Sequence, residues 1–323
     1  MDYRQLGKSG VRVSALGLGT NAFGSRADRA ASIRIIHEAL DSGINFIDTA
    51  NTYSGTESER IIGEALAGRR YEAVLATKAG LPRGEGPNAR GSSRYHIQQE
   101  IEGSLKRLNT DHIDLYQIHT FDPHTPLEET LRTLDDLIRA GKIRYIGASN
   151  YAAWELMKAL GISDRLGLNR FTSIQPSYSL ADRTPEQELV PLCLDQGVGI
   201  IPYFPLAGGL LSGKYTDVSN PPPGSRLEKN PDFAKRIDSE RMRLGREVSR
   251  IAQDLNTTPA ALSLSWLMTR PAVSTIIVGA TRVEQLTENL SAASLKLDTA
   301  ILEELERLSL PFRHGAPFAV FRI

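Results

Sequence analysis

Eight times along the chain, a short apolar run suited to a buried strand gives way to a stretch with helical spacing. Strands that alternate with helices pair in parallel, because a parallel neighbour can be reached only by a long crossover, and that crossover is right-handed. Eight such units, with no break in composition, predict an α/β fold: one (β/α)8 TIM barrel domain over residues 1–323. An N-terminal β-hairpin is expected at 3–6 and 11–14 around G-K-S-G, with extra helices late in the chain. The competing reading, an open sheet with a dinucleotide turn, fails at its third glycine. Gly17 and Gly19 begin a G-x-G-x-x-G pattern, but Ala22 stands where that glycine belongs.

Strands are expected at 15–18, up to Asp48, up to Lys78, up to His119, and at 143–149, 173–176, 199–203 and 273–278. Helices are expected between them at 30–42, 57–67, 95–108, 127–139, 152–160 and 185–195. An irregular stretch over 204–237 follows, then helices at 238–255, 259–269, 283–293 and 299–308.

In such a barrel the C-terminal ends of the strands line the functional mouth. Three successive runs end in titratable groups. I-N-F-I-D reaches Asp48 with Tyr53 five residues on, A-V-L-A-T reaches Lys78, and I-D-L-Y-Q-I reaches His119. Singly, each has a plain reading: Asp48 as a turn residue, Lys78 as a solvated lysine, Tyr53 as a packing aromatic, His119 as a satisfied core histidine. Together at one mouth they suit general acid catalysis at a carbonyl oxygen. A tyrosine with a pKa of about 10 keeps its proton at neutral pH. A neighbouring Lys78 ammonium would stabilise the phenolate, Asp48 would hold Lys78 charged, and His119 would position the substrate oxygen. A positioned acid contributes about 100- to 10,000-fold, so orientation and electrostatics must supply the rest.

Other chemistries lack residues. Thirty-eight basic and 38 acidic side chains cancel, which removes the electrostatic case for nucleic acid or an anionic membrane as partner. The single Cys193, in L-V-P-L-C-L, reads as a packed core thiol. No H-x-H or H-E-x-x-H occurs, and His112, His119 and His124 are too loosely arranged for a metal site. No apolar run approaches the roughly 20 residues of a membrane span, and M-D-Y-R-Q-L-G is no signal peptide, so a cytoplasmic protein is expected.

The segments that carry these residues resemble the aldo-keto reductases. They are L-G-L-G-T at 16–20, G-I-N-F-I-D-T-A-N-T-Y at 43–53, A-T-K at 76–78 and L-K-R-L-N-T-D-H-I-D-L-Y-Q-I-H at 105–119. G-K-I-R-Y-I-G-A-S-N at 141–150 and P-L-A-G-G-L-L-S-G-K-Y at 205–215 complete the series. The resemblance is to the branch that includes bacterial aldo/keto reductases and potassium-channel β subunits. It implies NADPH held in extended form without a Rossmann domain, with NADH as a second cofactor, and a small-molecule carbonyl substrate. It implies that Asp48, Tyr53, Lys78 and His119 form the catalytic tetrad, Tyr53 protonating the carbonyl oxygen as hydride arrives from nicotinamide C4.

Cofactor contacts implied by the same resemblance begin with Thr20. Ser149, Asn150 and Gln175 would hold the carboxamide, and Tyr203 would stack on the nicotinamide. Pro205, Leu206, Gly208, Lys214 and Arg226 would wrap the pyrophosphate. Gly279, Thr281, Arg282, Gln285, Glu288 and Asn289 would take the adenosine end. Arg282 is the candidate for a 2′-phosphate, which a guanidinium matches bidentately. Phe204 stands where relatives commonly carry Ser, and Gly279 where many carry Lys. A regulatory subunit of the same fold is the alternative reading. It would bring an inactivating extension or an encoded partner surface, whereas this chain starts almost directly with the hairpin. Substrate choice is expected in the loops 21–26, 81–92, 120–124 and 311–323, with Phe23, Phe121, Phe318 and Phe321 as candidates either for an apolar entrance or for packing against the barrel. The arginine-containing loop 82–94 is a candidate for polar or anionic substrates.

Overall fold

Leu6 and Val13, fully buried on the hairpin, set the floor of the molecule. In the computed structural model, β1 (Tyr3–Gln5) and β2 (Arg12–Ser14) pair antiparallel. The described residues are all of 1–323 except Thr216, Val218, Gly224, Asn230 and Val320, and exclude the side chains of Arg226, Lys229, Pro231 and Asp232. The hairpin turn presses on the barrel at Gly7, whose φ is +57°. A Cβ there would stand 2.5 Å from the Thr172 carbonyl and 2.8 Å from that of Gly197. Only glycine fits.

Eight parallel strands follow: β3 (Leu16–Gly19), β4 (Phe46–Asp48), β5 (Val74–Ala79), β6 (Ile113–Ile118), β7 (Ile143–Ser149), β8 (Phe171–Gln175), β9 (Gly199–Ile200) and β10 (Ile276–Gly279). They run side by side in chain order from β3 to β9, with β10 beside β3. The two outer edges are joined by main-chain bonds. Ile200 N donates to Ala272 O at 2.8 Å, Ser274 N to Ile200 O at 2.9 Å, and Ile277 N to Pro202 O at 3.0 Å. The ring closes, which satisfies donors and acceptors that an open edge would leave bare. Phe46, Ala76, Leu115, Ile201 and Ile277 fill its interior and pack against Leu6 and Val13. The hairpin thus plugs the N-terminal end, and the C-terminal strand ends are free to build a site.

The outer layer holds α1 (Arg29–Asp41), α2 (Glu57–Ala65), α3 (Arg94–Leu108), α4 (Leu127–Arg139), α5 (Ala153–Leu166) and α6 (Leu189–Gln196). After it come α7 (Arg226–Lys229), α8 (Pro231–Ala234), α9 (Ser239–Asp254), α10 (Pro259–Met268), α11 (Val283–Leu290) and α12 (Thr299–Ser309). Helix starts follow from capping side chains. Asp28, Ser93, Asp238, Thr258 and Asp298 each accept a bond from an amide of the first turn. On α4, Leu127, Leu131, Leu134 and Leu137 bury one stripe while Arg132, Asp136 and Arg139 face water.

Several boundaries differ from the sequence expectation: β9 stops at Ile200 rather than 203, β10 covers Ile276–Gly279 rather than 273–278, and α11 ends at Leu290 rather than 293. α5 runs to Leu166 rather than 160. Gly161 costs about 1 kcal/mol of helix propensity, yet Ser163 beyond it is buried and Gly167, at φ 63°, supplies the left-handed cap. The helix expected at 185–195 splits into a 3-10 turn (Thr184–Glu186) and α6, because Glu188 between them leaves helical geometry at φ −135°. The 204–237 stretch is not simply irregular: it contains a 3-10 segment (Ala207–Ser212), α7 and α8. Cys193 is buried, which pushes its thiol up to about 12. Among the described residues, no helix is long and apolar enough to cross a membrane.

Candidate active site

Asp48 ends β4, Lys78 is the penultimate residue of β5, and His119 directly follows β6. The in-register pairing of β4 with β5 and of β5 with β6 therefore brings all three to one end of the ring. Tyr53 reaches the same place by a tight turn. Ser54, Gly55 and Thr56 adopt φ values of 50°, 63° and 85°, three left-handed residues in a row, which fold the chain back before α2 begins. Strain of this kind persists only where the surroundings hold it.

The Lys78 ammonium is fully buried and its three donors meet three acceptors. They are Asp48 Oδ2 at 2.6 Å, the Thr49 carbonyl at 2.8 Å and Tyr53 Oη at 3.2 Å. Burial works against the lysine's charge, but attraction from Asp48 and Tyr53 prevails and holds its pKa above the ordinary value. The other Asp48 oxygen, Oδ1, accepts from Gln117 Nε2 at 3.0 Å and Gln175 Nε2 at 2.9 Å. Gln117 escaped the sequence reading. It lies two residues before His119, so strand alternation aims both inward; that spacing was the available signal.

His119 is the other neighbour of Tyr53, with ring centroids 6.0 Å apart and nearly perpendicular. Burial, then the Lys78 charge, lower the His119 pKa well below the usual histidine value, so the imidazole is neutral at pH 7. Its Nδ1 is buried without a hydrogen-bond partner among the described residues. A neutral ring beside a phenol and an ammonium can donate to, or orient, a substrate oxygen without competing for the proton.

A cleft of about 650 Å³ opens above this cluster and runs along the barrel rim. Asp48, Tyr53 and His119 line it at one end, with Thr20, Ser149, Asn150, Gln175 and Tyr203 beside them. Pro205, Leu206, Gly208 and Lys214 form one wall, and Gly279, Thr281, Arg282, Gln285, Glu288 and Asn289 another. The Arg226 side chain lies outside the described residues. Arg26, Asn21, Ser212 and Ser225 also line the cleft and were not singled out as cofactor contacts from sequence. Arg26 is the notable one: it bonds Asn21 Oδ1 at 3.2 Å, and burial lowers its pKa.

The expected apolar entrance is only partly there. Phe23 and Phe318 are buried core residues, Phe121 packs against Tyr151 and Trp154, and Phe321 alone of the four lines the cleft. Phe204 leaves the polar role of Ser and joins Phe233 and Phe318 in an aromatic cluster, at 5.3 and 6.3 Å. In loop 82–94, Arg83 and Arg94 are held by Glu100 and Asp136, so that loop presents less positive charge than its composition suggests.

A model of the aldo/keto reductase family matches residues 15–309. The chain belongs to the aldo/keto reductase family. Among its relatives is "Uncharacterized oxidoreductase YrpG" of Bacillus subtilis (strain 168), 41% identical, with 94% of this chain and 95% of that one covered. A "Probable voltage-gated potassium channel subunit beta" of Arabidopsis thaliana is 36% identical, covering 95% and 96% of the two chains. "Versiconal hemiacetal acetate reductase" of Aspergillus parasiticus is 33% identical, covering 96% and 98%. Aldo/keto reductases generally use nicotinamide cofactors on small-molecule carbonyl substrates.

The residues of this aldo/keto reductase fit such a cofactor on structural grounds. Gly279 has nothing closer than 4.0 Å to the position of a Cβ, which leaves its backbone open to close approach. Gly208 and Gly209, at φ 69° and 104°, shape the opposite wall. Gln285 Oε1 accepts from the amide and the hydroxyl of Thr281, both at 2.9 Å, and so fixes the start of α11 beside Arg282.

Proposed function

We infer that this chain is an NADP-dependent reductase that converts aldehydes or ketones to alcohols, reversibly, with Tyr53 as the general acid. The reading includes a single catalytic domain acting in the cytoplasm. The observation that supports it most is the 3.2 Å contact between Tyr53 Oη and Lys78 Nζ, with Asp48 on the far side of the lysine at 2.6 Å. Reduced nicotinamide, when bound, would supply the hydride. Ser149, Asn150, Gln175 and Tyr203 would hold its ring, the Pro205–Lys214 wall its pyrophosphate, and Arg282 a 2′-phosphate.

Tyr53 gives its proton to the substrate oxygen as negative charge develops there. The phenolate left behind faces an ammonium kept charged by Asp48, so the proton transfer costs less than in water. His119 holds the same oxygen in place. Asp48 does not itself move a proton; with both oxygens already bonded, it positions Lys78.

A second reading, a nucleotide-sensing regulatory subunit, draws on the relative named as a channel subunit. One experiment separates the two: NADPH or NADH is offered with a panel of aldehydes, ketones and sugars, and loss of the reduced cofactor is followed. Carbonyl-dependent oxidation of NADPH is expected. Binding with no turnover across the panel would favour the regulatory reading.

A further inference from the structure

The C-terminal tail returns to the cleft and binds a residue at its centre. Asn150 follows β7, is 6% exposed and has a φ of 56°, a left-handed conformation that Asn adopts more readily than most non-glycine residues. Its side chain works in two directions. Nδ2 donates to the carbonyl of His119 at 2.9 Å, and Oδ1 accepts from Tyr203 Oη at 2.7 Å. Its amide donates to Gln175 O at 3.2 Å. Asn150 thereby ties together three residues proposed to surround the nicotinamide and the reacting oxygen.

The remaining polar group of Asn150 is its carbonyl. Among the described residues its donor is Arg322, whose Nη1 lies 3.0 Å away. The same Nη1 lies 2.9 Å from Glu155 Oε2, and that carboxylate also accepts from the amide of Ala152 at 2.6 Å. Glu155 is 6% exposed, so it is anchored to the start of α5 and holds the guanidinium against the carbonyl. One further bond fixes the tail beside it: Thr120 Oγ1 donates to Phe321 O at 2.7 Å. Ala319 O, 2.9 Å from Tyr203 Oη, shares that hydroxyl's single proton with Asn150 Oδ1.

We propose that Arg322 is a positioning residue for the nicotinamide end of the site, acting through Asn150 on His119 and Tyr203. Arg322 is not among the residues that line the cleft. A charged donor makes one of the stronger single hydrogen bonds, and although the Arg322 side chain is 45% exposed, it is the donor that the Asn150 carbonyl has among the described residues. Relaxation of Asn150 would move the His119 carbonyl and free the Tyr203 hydroxyl. The adenosine end of the cleft, on β10 and α11, has no bond to Arg322 and would not change.

This inference rests on the reductase reading, and the test keeps the two apart. Arg322→Ala and Arg322→Lys are compared with wild type for carbonyl turnover, for NADPH affinity, and for affinity toward adenosine 2′,5′-bisphosphate, which fills only the adenosine end. Arg322→Ala should lower kcat and weaken NADPH by about tenfold each, the scale of a small misplacement of reacting groups. The bisphosphate should bind within about twofold of wild type, because the bonds lost are local. Arg322→Lys should recover most of both losses, since an ammonium can also donate to the Asn150 carbonyl. Wild-type kinetics and NADPH affinity in Arg322→Ala would overturn the proposal. Equal weakening of both nucleotides with a lower Tm would overturn it too, by making the residue merely structural. A wild-type chain that turns over no carbonyl contradicts the reductase reading alone; NADPH against bisphosphate binding still judges Arg322. A wild type that binds neither nucleotide overturns both.

Discussion

Lys78 Nζ sits 2.6 Å from Asp48 Oδ2 with side-chain exposures of 0% and 3%, so each ion has exchanged water for the other. Breaking such a pair leaves an uncompensated buried charge at a cost of about 3–5 kcal/mol. Lys78→Met should therefore destabilise the fold by that order, as well as removing activity. Asp48→Asn should cost a similar amount, because its new amide would turn a donor toward the ammonium. Chemical denaturation of the three proteins reads both. The Lys78 pKa is raised, so the stabilising share of its charge is complete below the unfolded value of 10.5 and is lost as pH climbs through the folded one. Stability near neutral pH should show no step from this lysine.

His119 gives a second expectation. Burial and Lys78 hold it neutral far below the usual histidine range of about 6.5. The rate of carbonyl reduction should show no acid limb near that pH. An acid limb near 6.5 that disappears in His119→Gln would mean the imidazolium takes part.

Much of this was legible in the chain before any coordinates. Asp48, Lys78 and His119 stand at the ends of apolar runs, and parallel pairing of those runs leaves their ends on one side of the ring. Tyr53, five residues past Asp48, falls at the same mouth. What stayed hidden depends on tertiary contact. Gln117 carries no titratable group, so nothing but its spacing from His119 distinguished it. Arg322 lies 172 residues from Asn150, and no local pattern announces that the tail returns there. Phe23 and Phe318 stayed open between entrance and core, because apolar side chains in mouth loops look alike in either place; both are buried. α5 runs past 160 to Leu166 with Ser163 buried, packing that a local pattern does not announce.

Cofactor preference should depend on Arg282. It precedes α11, lines the cleft and makes no capping bond with its side chain. A lost charged hydrogen bond costs about 1.5–3 kcal/mol, so Arg282→Ala should weaken NADPH by roughly ten- to a hundredfold and NADH little. Titration of both cofactors measures this; equal losses would put the 2′-phosphate elsewhere.

The wall opposite depends on glycine. At Gly208, φ is +69° and a Cβ would stand 1.9 Å from Phe233 Cε1, within the cluster of Phe204 and Phe318. Gly208→Ala must strain the backbone and displace a packed ring, at a cost of about 1–3 kcal/mol. The outcome should be a lower Tm and weaker NADPH binding, seen by thermal unfolding with and without the cofactor.

The central claim is that the proton comes from Tyr53, and Tyr53→Phe removes that proton and little else. Its steady-state rate of NADPH-dependent carbonyl reduction should fall by about 100- to 10,000-fold, the range expected for loss of a positioned acid, while NADPH still binds within a few-fold of wild type. Turnover at the wild-type rate in that variant would contradict the mechanism.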